Sequence, residues 1–438
     1  MAAFETVSHL TLPAYNRASL IDIRYARLPS EAPPLDDYDP SEHREPAQPI
    51  KLWMANFNLL RTIFGAGTLG LPLALWCLHE ISRQLKIPHV PYRYGFRLAL
   101  LHGPDVFHKL GNSAPTIVAT FMILSQLGIC TVFVIFTTDS LRDIMDWQTS
   151  KPAIAALLLP YLFLEYFMKS LKIVSYISMF GNFLNLIGLT LVTYHEFLEP
   201  QGRGMVYATT DSIALYFVIG TCLFNLSSIA VVLSLDRALK HPKVLTKRYG
   251  VLNICMLVTT IFLTLFGMSG YWAFGPMEEN VLRSLPFDDD SAMLAIGLYS
   301  VAIAFAYPIQ CYPAIQIILD IVTNKESLSS QVLGIIEHVV RPIFVLTSFF
   351  ICYMVPIQGA FVAFVGNLCT TLIALVFPAL MELCLLYPNN YGKFRFYLIK
   401  DLIILVFGLS CAILGVAFCG YLIYVRILSM HSPNNDSI

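Results

Sequence analysis

From residue 58 onward the chain is a succession of apolar runs, near 58–79, 115–137, 152–168, 173–194, 212–235, 251–274, 292–321, 338–356, 359–387 and 401–428. A helix needs ~20 mostly apolar residues to cross the hydrocarbon of a bilayer, where every backbone N–H and C=O must be bonded inside the protein. The runs therefore predict an all-α polytopic membrane protein with about ten spans. Pro356 and Gly359 mark the tight turn between the last two but one. Composition agrees: 56% of residues are hydrophobic and 13% charged, far too apolar for an ordinary soluble chain.

The same composition excludes several functions. A net charge of -1 with no long basic block provides no field for nucleic acid, and the expected surroundings are a lipid bilayer. The ten cysteines fall inside or at the edges of apolar runs, without Cys-x-x-Cys spacing, and read as packing residues. His79-Glu80 is followed by Arg83 where a zinc protease needs its second His. No metal or cofactor is expected. Paired catalytic carboxylates and Gly-x-Ser-x-Gly are also missing at membrane depth, so the chain is not expected to be an enzyme.

Three regions follow. Residues 1–50 are polar, proline-bearing and acidic and are expected to be a disordered tail without a cleavable signal. Residues 51–430 form the membrane domain, and 431–438 a short C-terminal tail. Lys and Arg gather on the cytoplasmic side of membrane proteins. The basic loops are those of Arg83 to Lys109, Lys169 with Lys172, Arg237 to Arg248, and Lys393 to Lys400. They alternate with loops holding Asp139, Asp143 and Asp146, then Glu196 and Glu199, then Glu278 to Asp290. One conflict remains. A single first span would put the tail outside, although Arg17, Arg24, Arg27, Arg44 and Lys51 read as cytoplasmic.

Within the first run stands Gly65-Ala66-Gly67-Thr68-Leu69-Gly70-Leu71-Pro72. Each interior Gly costs a helix roughly 1 kcal/mol and Pro about 3 kcal/mol, so the run is expected to break there. Irregular backbone at membrane depth is tolerated where it lines a cavity, as in transporters that hold substrate at the midplane. The other reading is close helix packing through Gly67 and Gly70.

The Gly65 to Pro72 segment, Gly270-Tyr271-Trp272-Ala273-Phe274-Gly275 and Phe377-Pro378-Ala379-Leu380-Met381-Glu382 resemble the amino acid/auxin permease family. The nearest branch is that of the proton-coupled amino acid transporters, and the resemblance runs from Trp53 to Tyr424. It implies an inverted-repeat (5+5 helix) transporter fold with one more span than this chain shows. Here Leu73-Ala74-Leu75 runs straight into Trp76-Cys77-Leu78-His79, which resembles the end of the family's second helix. About one helix, ~20 residues, is therefore missing, and restoring it returns the tail to the cytoplasm.

The resemblance also implies a site. Amides of Gly65, Ala66, Gly67 and Thr68 would receive a substrate carboxylate at a half-helix N-terminus, which carries positive dipole character. The partner helix would be broken near Thr221, Phe224, Asn225, Ser227 and Ser228, whose carbonyls would receive the ammonium group. Phe224 and Tyr307 would limit substrate size. Members of the branch have His where this chain has Asn58 and Glu where it has Ser227, and neither replacement titrates near neutral pH. The implied function is a secondary active carrier of small neutral amino acids, by alternating access, in a plasma or lysosomal/vacuolar membrane, with protons in question as the coupling ion. The alternatives are an amino acid sensor on the same fold and a truncated, nonfunctional isoform.

Overall fold

The computed structural model describes residues 39–40, 50–55, 58, 71–168, 170–198, 212–225, 229–239, 251–275, 281–287, 289–325, 330–355, 357–388 and 390–431. Gly65 to Thr68, Ser227 and Ser228 lie outside the described residues, as do most of both tails. The helices are α1 (Leu71–Gln84), α2 (Tyr92–His102), α3 (Asp105–Gly111), α4 (Ala114–Ile144), α5 (Lys151–Phe167) and α6 (Leu171–Leu198). Then come α7 (Ser212–Asn225), α8 (Ile229–Ala238), α9 (Val251–Phe274), α10 (Asp290–Lys325) and α11 (Ser330–Met354). Last are α12 (Gln358–Leu385) and α13 (Phe396–Leu428).

Eight helical stretches among the described residues are long and apolar enough to cross a membrane: α4, α6, α7 with α8, and α9 to α13. The protein is an integral multi-pass membrane protein. The run near 152–168 forms the 17-residue α5, the short one of the set. Outward-facing Leu159, Phe163, Ile403 and Val406 are more than half exposed in the isolated chain, where they would meet hydrocarbon. Inside, α10 packs on α4 and α6, α11 on α4 and α5, and the first half of α12 on α7.

Charged side chains pair at both ends of the helices. At one end Arg283 approaches Asp139 and Asp143 at 3.5 and 3.2 Å, and the Ser269 hydroxyl donates to Glu196 at 2.7 Å. At the other, Arg237 and Arg93 meet Asp320, and Lys400 donates to Glu382 at 2.5 Å. Ile50 donates its N–H to the Ala238 carbonyl at 3.2 Å, so this residue lies beside the C-terminal end of α8. Cys77 and Leu78 of α1 belong to the same buried apolar cluster as α2 and the end of α12, again at this inner end. Both flanks of the first apolar run therefore lie on one side.

One loop differs from the expectation. The stretch from Arg83 to Lys109, read as a basic loop, contains α2 and α3, and α2 is buried along most of its length between α4 and α12. Tyr92 with Phe96, and Tyr94 with Leu98, place bulky side chains on two opposite faces of α2, which drives this burial.

Candidate substrate site

The region around α7, α8, α12 and α4 is built on close backbone approach. Gly220 of α7 and Gly366 of α12 allow two helices to meet with no side chain between them. Gly128 of α4 leaves room for the Val365 side chain of α12. Just past this contact α12 departs from α-helical geometry, with π turns at Gly366–Thr370 and Leu372–Val376. A π turn inserts a residue and frees backbone groups, and such turns recur at functional sites. The freed groups are partly taken up locally. Thr371 donates its hydroxyl to the Gly366 carbonyl at 3.1 Å, and the Tyr92 hydroxyl donates to the Ile373 carbonyl at 2.9 Å. Burial holds the Tyr92 phenol well above its ordinary pKa, so it stays a donor. Asn367 donates to the Tyr216 carbonyl at 3.0 Å, tying α12 to α7.

One turn further, Ser125 and Gln126 of α4, Thr370 of α12 and Ile229 and Ala230 of α8 enclose a void of about 10 Å³. Gln126 is fully buried, and among the described residues neither its Oε1 nor its Nε2 has a hydrogen-bond partner. The Thr370 hydroxyl is also buried without one. Leaving such groups unmade costs roughly 1–3 kcal/mol each, so this corner of the core is built to meet another polar group.

A second cavity of about 70 Å³ continues from Ala230 along α8, past Leu233 and Ser234, towards the inner end. Its far rim is charged. Asp320 of α10 lies 3.6 Å from Arg93 and 3.5 Å from Arg237, while His89 approaches Asp236 at 3.8 Å. Two consecutive cavities, largely apolar but with polar groups in their walls, thus follow one face of α8 from the core to an ionic clasp.

The expected residues distribute as follows. Thr221 donates its hydroxyl to the Phe217 carbonyl at 3.0 Å, back-bonding within α7. Phe224 is buried in the large central cluster, and its backbone N lies beside Gly366. Asn225 ends α7, and α8 begins at Ile229, with 226–228 outside the described residues. Tyr307 is fully buried in a different cluster, where its hydroxyl pairs with Ser348 at 3.0 Å and its ring meets Tyr161 edge-on at 5.0 Å. Phe224 and Tyr307 therefore sit in separate apolar clusters. Asn58 is buried and donates to the Ser175 hydroxyl at 2.7 Å.

Sequence reasoning passed over Gln126 and Thr370. The available signal was a buried-length apolar run carrying Ser125-Gln126 at its centre, where a polar residue is expensive. Glu165, Asp236, Asp320, Glu337 and Glu382 lie in or beside the apolar runs. The structure buries most of them and gives each a nitrogen-bearing neighbour: Arg341 for Glu165 and Glu337, the His89 imidazole for Asp236, Arg93 and Arg237 for Asp320, and Lys400 for Glu382.

Comparison with known proteins matches this architecture. The chain is similar to the proton-coupled amino acid transporter-like protein pathetic of Drosophila melanogaster, 23% identical with 87% of each chain covered. It is 26% identical to the vesicular GABA transporter of Caenorhabditis elegans, over 89% of this chain and 84% of that one. In three dimensions it shares the fold of a Na+-coupled sialic acid symporter solved in a substrate-bound outward-open state, with a TM-score of 0.52 at 15% identity, covering 90% and 95% of the two chains. A family model described as transmembrane amino acid transporter protein matches residues 73–420. With helices and family model in agreement, the chain belongs to the transmembrane amino acid transporter family.

Proposed function

We infer that the protein is a secondary carrier of small neutral amino acids that works by alternating access. The observation that carries this reading is the pair of cavities along α8, one closed in the core beside the end of α7 and one leading to the inner clasp. A bound amino acid would lie between the Gly65 to Thr68 segment and the α7–α8 junction. Release inward would follow Ala230, Leu233 and Ser234 once the Asp320 clasp opened. Relatives named as amino acid transporters support the substrate class. A plasma or lysosomal membrane is the expected address.

Asn58 and Ser227 take no proton near neutral pH, so we further infer that uptake does not depend on protonation at these two positions. The test is uptake of labelled alanine into proteoliposomes, with and without an inward proton gradient. Saturable uptake that is abolished by Gly67→Leu supports the carrier. Substrate-induced thermal stabilisation without flux supports the sensor.

A second reading is favoured by one observation: both flanks of the first run lie at the inner end, as in a chain shortened by one helix. Full-length transcripts across the Leu73 to Leu78 junction decide it. An apolar insert in most of them makes this chain a shortened isoform of a longer carrier, and a uniform absence of insert removes that reading.

A further inference from the structure

We propose that the void between Ser125, Gln126, Thr370 and Ile229 is a hydroxyl-recognising subsite, so that the protein selects hydroxyl-bearing amino acids, of the serine and threonine type, over their apolar isosteres. The inference deepens the carrier reading and rests on it for the class of ligand.

Size comes first. A void of about 10 Å³ is room for a single water-sized group, which fits a hydroxyl and excludes a carboxamide or a carboxylate. Chemistry comes second. Gln126 offers an acceptor oxygen and a donor nitrogen with no partner among the described residues, and Thr370 adds a hydroxyl that can play either part. A hydroxyl is the one-atom group that donates and accepts together. A lone cation would leave the Gln126 Nε2 unmet, and a methyl group would leave all three atoms unmet.

Position comes third. The void adjoins Ile229 and Ala230, the first residues of α8 after the expected break, and lies one turn along α12 from the contact of Gly366 with the Phe224 backbone. A side chain branching from an amino acid held at that break would point here. The competing use is a structural water bonded to the same three groups. Threonine and valine separate the two, because they differ by a hydroxyl for a methyl at nearly constant volume.

The experiment uses the purified full chain in lipid nanodiscs, with thermal stabilisation titrated by L-threonine, L-valine, L-serine and L-alanine. Threonine should bind roughly tenfold to a hundredfold tighter than valine, as a site with unmet polar groups demands. Gln126→Met, which keeps the volume and removes both polar atoms, should bring that ratio close to one while valine binding persists. Thr370→Val should lower the ratio part of the way and guards against misfolding of the first variant. If the wild type is stabilised equally by threonine and valine, the void holds only a water and the proposal falls while the amino acid reading stands. If none of the four stabilises the chain and none is taken up, the carrier reading fails and the subsite fails with it.

Discussion

Gly220 and Gly366 face each other so closely that a Cβ added to Gly366 would lie 1.9 Å from the Gly220 carbonyl oxygen. The contact joins α7, the half-helix before the expected break, to the π turns of α12. It fixes the height at which Gln126, Thr370 and Ile229 come together.

Gly366→Ala should therefore be severely destabilising. The obstruction is backbone rather than a flexible side chain end, so the cost should reach or exceed the ~3 kcal/mol upper range for overpacking. Gly267, which has open space around it, is the control. Fluorescence-detected thermal unfolding of the two alanine variants should show a large drop for Gly366 and only a slight change for Gly267.

Arg341 is buried between two carboxylates, hydrogen-bonded to Glu165 and, at 2.7 and 3.1 Å, to Glu337. Removing the guanidinium alone strands Glu165 in the interior of the α5–α11 interface. Arg341→Met should cost about 3–5 kcal/mol, and adding Glu165→Gln should recover much of that loss. Arg341→Lys should also be poor, because a single ammonium cannot reproduce the planar fork that bonds both carboxylates. Melting temperatures of the single and double variants check the order.

Asp289 precedes α10 and accepts the Ser291 N–H at 2.9 Å, with His195 nearby at 3.9 Å. The backbone hydrogen bond is the main cause that holds its carboxyl below the ordinary range. A depressed folded-state pKa contributes stability that is present above the unfolded pKa and lost as pH falls through the folded one. Acidification below about pH 4 should thus lower the melting temperature less in Asp289→Asn than in the wild type.

Much of the architecture was legible because hydrocarbon imposes a single length on every span. The runs near 115–137, 173–194 and 251–274 became α4, α6 and α9 with boundaries shifted by a few residues to about seven. The π turns of α12 were not legible, because Gly366 to Val376 lies inside one continuous apolar run and a single inserted residue leaves no mark on its length. Nor was the burial of α2. Its arginines suggested a solvated loop, while the side chains of Tyr92, Phe96 and Leu98 decided the outcome. Gln126 was missed for a related reason: in the sequence it is one polar residue in an apolar run, and only the meeting of α4, α8 and α12 leaves it without a partner among the described residues.

The inner clasp gives the last prediction. One carboxylate, Asp320, stands between Arg93 of α2 and Arg237 of α8, so it holds together two elements that would otherwise repel. Asp320→Asn keeps the shape and removes the charge, leaving two guanidiniums facing across a nearly dry cavity rim. That arrangement favours separation of α2 from α8, and the cavity beside Ser234 should open towards the inner side. Ser234 is half-buried there, its hydroxyl donating to the Ala230 carbonyl at 2.9 Å. In a Ser234→Cys background, a membrane-impermeant thiol reagent applied from the inner side should react several-fold faster when Asp320 is Asn, after subtraction of the matched protein with Ser234 intact. Equal rates would mean that the clasp does not limit access, and that closure rests on the apolar packing of α2 against α4 and α12.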